Sequence, residues 1–275
     1  MARELLPIVQ NALAGRYQVE AEIGRGGASR VFRATAADGT PVALKVLRPE
    51  LTVTVTADRF LREIQIVQRL DHPHISRIID SGQSEWLIYY AMPFIPGPSL
   101  QQVLRQRGTV AAEDVNRLAR DLLGAIGHAH ERGIVHRDVK PDNVMIDRHG
   151  AVLVDFGIAR AVELAGTDRL TKSGMAVGTS RYMSPEQMMG ATIMDPRSDL
   201  YSLGCVLFEC LAGAPPYSHP NEMAVLELHR TAPIPDIAAL VPGTPVGLAR
   251  AITRALGKRP DDRWPTAAAM VDAIA

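Results

Sequence analysis

The sequence predicts an α+β fold with two lobes, a small β-rich lobe followed by a larger helical one. Three observations support this fold class. Residues 17–91 read mainly as short strands, residues 92–98 (MPFIPGP) carry three prolines and a glycine and form an extended connection, and residues 99–275 read mainly as helices. The 275 residues are enough to bury a substantial core.

Composition limits the classes of partner. Lys and Arg together number 30, as do Asp and Glu, so the formal net charge is zero. This balance argues against nucleic acid or an anionic membrane as the main partner. No apolar run approaches the ~20 residues that a bilayer requires, so we expect no membrane contact from this chain. Cys205 and Cys210 lie about 140° apart around an apolar helical segment, which predicts two reduced core thiols and a cytoplasmic location.

The small lobe is predicted from strand, hairpin and helix patterns. The stretch YQVEAEI from Tyr17 alternates, and RVFRATA and PVALKVL are separated by the hairpin signal Asp38-Gly39. A helix is predicted over 57–70, and residues 1–16 form an N-terminal extension for which a short helix on the small lobe is our hypothesis. The apolar stripe of the 57–70 helix comprises Phe60, Ile64, Val67 and Leu70.

The large lobe contains a long amphipathic segment that predicts a helix from Glu113 to a stop signal at Gly133. Two short apolar runs, NVMI and AVLV, then flank residues 147–150 (DRHG), which are typical of a hairpin turn. Polar motifs lie directly before and directly after this hairpin.

A glycine-rich loop lies between the first two predicted strands and contains Gly24 and Gly26. Glycines let a backbone approach phosphates closely and point its N–H groups at them. A dinucleotide site would have a helix after the loop, whereas a strand follows here. An ordinary hairpin turn is the alternative interpretation.

Lys45 and Glu63 form a candidate pair. Lys45 lies inside the apolar strand VALKV, and Glu63 lies within or beside the apolar stripe of the 57–70 helix. A buried charge needs a partner of opposite charge, so each is the natural candidate for the other. In the alternative interpretation Lys45 reaches solvent from an edge strand, and Glu63 pairs with Arg59 or Arg62 on its own helix.

The strongest signal is the run HRDVKPDN, which contains Asp138, Lys140 and Asn143, followed by Asp155 in the run DFG. The two aspartates are seventeen residues apart with the predicted hairpin between them, so both carboxylates can return to one place. Phosphoryl transfer requires a carboxylate that orients the attacking hydroxyl, and carboxylate and amide oxygens that hold Mg²⁺. The alternative is a polar turn and an unrelated strand-ending aspartate.

In these motifs and their order the chain resembles the eukaryotic-type (Hanks-type) Ser/Thr protein kinases, from about Tyr17 to Ile274. Further matches are the runs SPE from Ser184, SDLYSLG around Asp199 and PDDRWPTA around Arg263. The resemblance implies that Glu186 and Arg263 form a scaffold pair of the large lobe. The sequences of the glycine-rich loop and of the runs DFGIAR and GTSRYMSPEQ resemble those of bacterial members most closely.

The resemblance implies an enzyme that uses ATP and Mg²⁺, with Mn²⁺ as an alternative metal, and that phosphorylates protein hydroxyls. Asp138 is then the catalytic base, Lys140 and Lys45 stabilise phosphate charge, Glu63 pairs with Lys45, and Asn143 and Asp155 hold the metal. The residues implied to contact ATP besides Lys45 are Ile23, Gly24, Gly26, Val31, Ala43, Met92, Pro93, Ile95 and Met145.

Residues 155–186 resemble an activation segment. The resemblance implies phosphorylation at Thr171 or Ser173, a pairing of that phosphate with Arg137, and substrate positioning by Thr179. An ordinary loop rich in hydroxyls is the alternative for this stretch. A transient homodimer for phosphorylation between two copies is a further expectation.

Two positions depart from the family pattern, and two rival functions stay open. Ser29 replaces the third glycine of the loop, and Ser184 replaces the alanine of the family's APE motif. Neither change removes a side chain to which the resemblance assigns a chemical role.

The rival functions are a catalytically weak pseudokinase that acts as a scaffold, and a small-molecule phosphotransferase of similar fold. The intact set of polar motif residues argues against the first, and the match through Arg263 against the second.

Overall fold

A computed structural model describes residues 5–26, 29–48, 57–84, 86–156, 179–190 and 194–274. The chain divides into two compact units. Described residues up to Asp71 and Ser76–Pro96 belong to the first unit, and His72–Ile75, with the described residues from Gly97 onward, belong to the second.

In the residues that the structure describes, the first unit comprises a five-stranded antiparallel sheet and two helices. The strand order is β1-β2-β3-β5-β4, so consecutive strands pair except that β3 pairs with β5, which leaves β4 at the edge. The elements are α1 (Leu5–Ala12), β1 (Tyr17–Arg25), β2 (Ser29–Ala36), β3 (Pro41–Leu47), α2 (Ala57–Val67), β4 (Asp80–Ser84) and β5 (Leu87–Pro93).

The predicted N-terminal helix is present as α1 and covers one face of this sheet. Its buried residues Leu5 and Val9 join Leu13 in a cluster with strand residues such as Phe32 and Tyr89. Burial of this apolar face stabilises a helix of eight residues that would not persist alone in water.

The predicted hairpin at Asp38-Gly39 is confirmed between β2 and β3. Gly39 has a φ of +86°, which glycine adopts without strain, and the Thr40 N–H donates to Asp38 Oδ1 (2.9 Å). The helix predicted over 57–70 is regular only to Val67, and its last predicted residues form a turn that still buries Leu70.

The second unit is mainly helical. Its elements are α3 (Leu100–Arg107), α4 (Ala112–His130), β6 (Val144–Asp147), β7 (Gly150–Leu153), α5 (Pro185–Met188), α6 (Arg197–Ala212), α7 (Glu222–Thr231), α8 (Ile237–Leu240), α9 (Val246–Ala255) and α10 (Ala267–Ile274), with short 3₁₀ turns at Pro141–Asn143, Thr179–Tyr182 and Pro260–Asp262.

Helix α6 is the centre of the second unit. Every residue from Ser198 to Leu211 is buried, as expected for a helix that is apolar on all sides. The predicted core thiols Cys205 and Cys210 lie on this helix and form no disulfide bond with each other. Burial raises the pKa of both thiols. None of the helices in the described ranges has the length and hydropathy of a membrane-spanning segment.

The predicted hairpin before Asp155 is confirmed as β6 and β7, joined by Arg148 and His149. A glycine at position 97 is required beside it, since a Cβ there would collide with the Ile146 carbonyl. This hairpin links the two polar motifs of the chain.

Candidate active site

Asp138 is held by two side chains of its own loop. The Lys140 ammonium donates to both carboxylate oxygens (3.0 and 2.7 Å), and Asn143 Nδ2 donates to Asp138 Oδ2 (3.0 Å) and to its backbone carbonyl (2.7 Å). The 3₁₀ turn at Pro141–Asn143 folds the chain back so that these residues meet. The three motif residues that the sequence predicts to act together therefore do lie together.

The backbone of this loop is strained. Arg137 has a φ of +69°, in the left-handed region that non-glycine residues rarely adopt. The Asp199 carboxylate, from the first turn of α6, accepts the N–H groups of His136 (2.8 Å) and Arg137 (2.9 Å). His130 Nε2 bonds to the same carboxylate (2.8 Å), which thus holds the loop in its uncommon conformation.

Asp199 carries its charge in a fully buried position. Burial alone opposes ionisation, but the hydrogen bond and charge of His130, with the bonds from the loop backbone, hold the pKa of Asp199 below its ordinary value. The carboxylate is therefore ionised at neutral pH and acts as an acceptor only.

His136 connects the loop to the strand that precedes Asp155. Its Nδ1 accepts the Asp138 N–H (3.1 Å), so Nε2 carries the proton and donates to the Val154 carbonyl (2.9 Å). The ring also lies edge-on to Phe156, with ring centroids 4.6 Å apart. This histidine fixes the residues on both sides of Asp155.

Asp155 follows directly on β7 and Val154. Its φ is +67°, a second left-handed non-glycine residue within the described ranges. The Val154 N–H donates to the Asn143 carbonyl (2.9 Å), which ties the two residues predicted to bind metal into one network. Since Asn143 Nδ2 faces Asp138, its Oδ1 faces away and remains a candidate ligand.

The donor set fits a hard divalent cation. An Asp carboxylate and an Asn carbonyl are oxygen ligands of the kind Mg²⁺ prefers, with further positions left to water and phosphate. When bound, such a cation neutralises the charge of phosphate oxygens.

The fully buried Arg263 forms an ion pair with the half-buried Glu186. Two bonds join them, Nη1 to Oε1 (2.6 Å) and Nη2 to Oε2 (2.7 Å), and Ser198 Oγ donates to Oε1 (2.7 Å). Despite burial, these bonds keep the pKa of Glu186 below its ordinary value. The scaffold pair predicted from the sequence is confirmed in its geometry.

Two contacts of the SPE region were not predicted. Gln187 Nε2 donates to the Arg137 carbonyl (2.8 Å), and Tyr182 donates to Glu209 Oε2 (2.5 Å) on α6. Burial raises the pKa of Glu209 even against the bond from Tyr182. No periodicity or motif in the sequence marks these long-range partners.

Lys45 and Glu63 both lie in the first unit and are half-buried. Lys45 is opposite Tyr90 on β5, and Phe60 of α2 packs beside Tyr90, with ring centroids 6.5 Å apart. The helix that carries Glu63 thus packs next to the register position of Lys45. Their direct pairing stays a prediction.

The predicted nucleotide-contacting residues are distributed over both units. In the first, Gly24 pairs with Val31, Ala43 pairs with Met92, and the Gly26 N–H donates to the Ser29 carbonyl (2.8 Å). Ile23 and Pro93 are exposed there, and Ile95 is half-buried. Met145 lies on β6 in the second unit. Their contact with ATP stays a prediction.

The structure describes only some of the residues predicted to regulate the protein or to position its substrate. Thr171 and Ser173 lie outside the described residues, so their role and the pairing with Arg137 stay predictions. Thr179 begins the 3₁₀ turn Thr179–Tyr182, three residues before the tyrosine that bonds Glu209.

Comparison with known proteins identifies the family. A model of the protein kinase domain matches residues 17–268. The serine/threonine-protein kinase PknB of Mycolicibacterium smegmatis is 40% identical over 266 residues, which cover 94% of this chain and 42% of that protein. PknH of Mycobacterium tuberculosis is 36% identical over 260 residues, which cover 93% of this chain and 41% of the relative.

A third relative, a probable serine/threonine-protein kinase PknB of Bifidobacterium longum, is 38% identical over 269 residues, which cover 93% of this chain and 39% of the relative. The chain thus spans about two fifths of the length of these curated relatives. Together with the catalytic-loop geometry and the family match over most of its length, this similarity shows that the chain belongs to the protein kinase family.

Proposed function

We propose that this chain transfers the γ-phosphoryl group of ATP to serine and threonine hydroxyls of proteins, its own included. The observation that carries the proposal is the Asp138 carboxylate held by Lys140 and Asn143 within one hydrogen-bonded loop. The relatives' printed names, serine/threonine-protein kinases, support the substrate class.

In this proposal Asp138 orients the substrate hydroxyl and accepts its proton, while Lys140 donates to the transferring phosphoryl group. Lys45, oriented by Glu63, contacts the α- and β-phosphates. Asn143 and Asp155 hold Mg²⁺. The remaining nucleotide contacts are assigned to Ile23, Gly24, Gly26, Val31, Ala43, Met92, Met145 and the backbone of Pro93 and Ile95.

Regulation and location complete the proposal. Phosphate on Thr171 or Ser173 pairs with Arg137, and Thr179 positions the substrate. A transient homodimer transfers phosphate between copies, so the initial rate should rise with the square of the protein concentration. We also propose a cytoplasmic location, which the unbonded cysteines support.

The test is the intact mass of the purified protein after incubation with ATP and Mg²⁺. We expect added phosphates that map to Ser and Thr between Asp155 and Thr179. Asp138→Asn should lower the rate about 10²–10⁴-fold, as expected when a positioned base is lost. Asp142→Asn, on the same loop but exposed, is the matched control and should keep the rate.

Unchanged mass in the wild type, or equal rates for Asp138→Asn and the wild type, would overturn the assignment. Phosphotyrosine as the main product would overturn the substrate class. The unfolding midpoint of each variant, measured in the same buffer, separates lost chemistry from lost folding.

A further inference from the structure

The segment His72–Ile75 lies in the second unit, although the chain on both sides of it belongs to the first. It docks along the edge of β7 opposite to β6. The Leu153 N–H donates to the His74 carbonyl (2.9 Å), Ile75 bridges to Leu153, and His74 Nδ1 donates to the Ala151 carbonyl (2.8 Å). The strand that leads into Asp155 is therefore held from both edges.

Helix α4 supplies the other half of this attachment. Asp121 Oδ2 accepts the Ala151 N–H (3.0 Å), and Asp121 Oδ1 lies 3.4 Å from His74 Nε2. Gly150, at a φ of +125°, has no Cβ and so leaves room for the Asp121 carboxylate. His74 and Asp121 together bind the carbonyl and the N–H of Ala151.

His72 is the central ring of a histidine cluster. It lies over Gly124 of α4, where a Cβ would be 3.4 Å from its ring, and its centroid is 5.6 Å from that of His74 and 5.2 Å from that of His128. Its Nδ1 accepts the His74 N–H (3.2 Å), so this nitrogen carries no proton while the segment is docked.

The charged and titratable groups around His72 come from each side. His128 and Arg132 belong to α4 and the turn after it, His74 belongs to the docked segment, and β7 contributes only backbone; Asp121 acts on His74 rather than on His72. Burial first, then these basic neighbours, lower the pKa of His72. Within the described ranges no group of three or more His, Cys, Asp or Glu is arranged to hold a metal ion.

We propose that the His72–Ile75 segment is a proton-sensitive latch on β7, which opens when His72 is protonated and thereby loosens the strand that positions Asp155. A proton on Nδ1 removes the acceptor of the His74 N–H. It also places a positive charge against two imidazoles and a guanidinium. Both effects act on the segment that binds Ala151 and Leu153, which lie four and two residues before Asp155.

The direction of the pH effect follows from linkage. Docked His72 has a lowered pKa, whereas undocked His72 has an ordinary value of about 6.5. The undocked state therefore binds more protons, so docking is intact above about pH 6.5 and weakens as the pH falls below it. The weakening reaches at most about tenfold per pH unit and stops below the pKa of docked His72.

Hydrogen exchange of the full chain tests the latch without requiring catalysis. Protection of the Ala151 and Leu153 amides, corrected for intrinsic exchange, is compared at pH 7.5 and 5.5. We expect a fall of roughly tenfold in the wild type, bounded by the single proton involved. We expect little change in His72→Asn, whose amide oxygen replaces the Nδ1 acceptor but does not titrate.

His219→Asn is the matched control, since His219 Nδ1 accepts the Asn221 N–H (3.0 Å) in the same local geometry at an exposed site. It should lose protection at β7 as the wild type does. Constant protection in the wild type, or an equal loss in His72→Asn, overturns the proposal.

A second measurement covers the case in which His72→Asn does not fold. The ring of His72 in the wild type is titrated by NMR, and its midpoint must coincide with the loss of protection at Leu153; separate midpoints overturn the proposal. An activity arm, which rests on the proposed function, compares the Mg²⁺ requirement at pH 7.5 and 6.0. A latch that opens with no rise in that requirement would overturn its link to Asp155.

Discussion

Two carboxylates meet the first turn of α6, the fully buried Asp199 and the half-buried Glu186, and they are stabilised in different ways. Asp199 accepts two backbone N–H groups from the catalytic loop and a bond from His130. Glu186 is paired through two bonds with Arg263, whose side chain is fully buried, and accepts a third from Ser198. One carboxylate is stabilised by a histidine together with backbone N–H groups, and the other by the full positive charge of a guanidinium.

The difference predicts different consequences of losing each one. The donors to Asp199 include the strained residue Arg137, so this carboxylate sets the geometry of the catalytic loop. Arg263 instead bonds to the carbonyls of Gly257, Lys258 and Arg197, so it joins segments that are distant in sequence. We expect the first contact to matter most for turnover and the second for stability.

The largest effect on stability is expected for Arg263→Met. The change leaves the mostly buried Glu186, whose side chain is only 12% exposed, without its cation, and breaking a buried pair in this way costs about 3–5 kcal/mol. Urea unfolding should show that loss, with Arg259→Met as control, because Arg259 is exposed and 3.9 Å from Asp261. The control should change stability by less than about 1 kcal/mol.

The double variant Glu186→Gln, Arg263→Met sharpens this test. Removing both charges should recover part of the loss, since no uncompensated charge remains. If Arg263→Met alone unfolds as easily as the control, the pair does not have the structural role that its burial indicates.

Next in size is Asp199→Asn, which acts on turnover. The amide presents an N–H₂ group where the carboxylate accepted two N–H bonds, so at least one loop donor loses its partner. A displaced loop should lower kcat about 10²-fold. Stability should fall by about 1–3 kcal/mol.

Steady-state kinetics with a peptide substrate, at a temperature well below the unfolding midpoint, measures the effect of Asp199→Asn. A loss of stability at unchanged kcat would remove the distinction between the two carboxylates. Arg263→Met, assayed when folded, should retain the larger share of turnover.

The motif residues that the structure brings into contact lie close together along the chain. Asp138, Lys140 and Asn143 fall within six positions, so one turn brings them together whatever the rest of the fold does. The hairpin at 147–150 likewise depends on local turn preferences. The same local logic predicted the apolar face of α2, although its regular part ends at Val67 because the last turn tightens.

The supporting contacts could not be predicted, because they depend on how distant helices pack. His130 and Asp199 are separated by 69 residues, and Gln187 and Arg137 by 50. A histidine in the last turn of α4 or a glutamine after SPE carries no pattern that names its partner. The docking of His72–Ile75 beside β7 was missed for the same reason, since an isolated bridge has no strand periodicity.

The smallest expected effect concerns His229 and the pH dependence of the unfolding free energy. It lies on the Arg263 side of α6, where its Nδ1 bonds to Tyr201 (2.8 Å) and its carbonyl accepts from Lys258 (2.7 Å). Burial, with the charge of Lys258, lowers the pKa of His229 to about 4. In the unfolded chain the value is about 6.5, so the unfolded state takes up the proton first and stability falls as the pH drops from 6.5 toward 4.

Asp199 and Glu186 lose their contributions to stability at a lower pH than His229 does. Both have a lowered pKa, so their contributions persist until the pH falls below the ordinary value of about 4. On acidification, the stabilising contribution of His229 should therefore be lost before those of the two carboxylates. Between pH 7 and 5 we expect His229 to account for about 2 kcal/mol of the fall in unfolding free energy.

Urea unfolding at pH 7, 6 and 5 measures this contribution as the difference in slope between the wild type and His229→Asn. The variant keeps an acceptor near the Nδ1 position but does not titrate, so its lower starting stability does not affect the comparison of slopes. His72 is unchanged in both proteins, so its contribution cancels in the difference. If the unfolding free energies of the two proteins fall with the same slope against pH, His229 takes up its proton as readily in the folded state as in the unfolded chain. That result would contradict the proposed pH dependence.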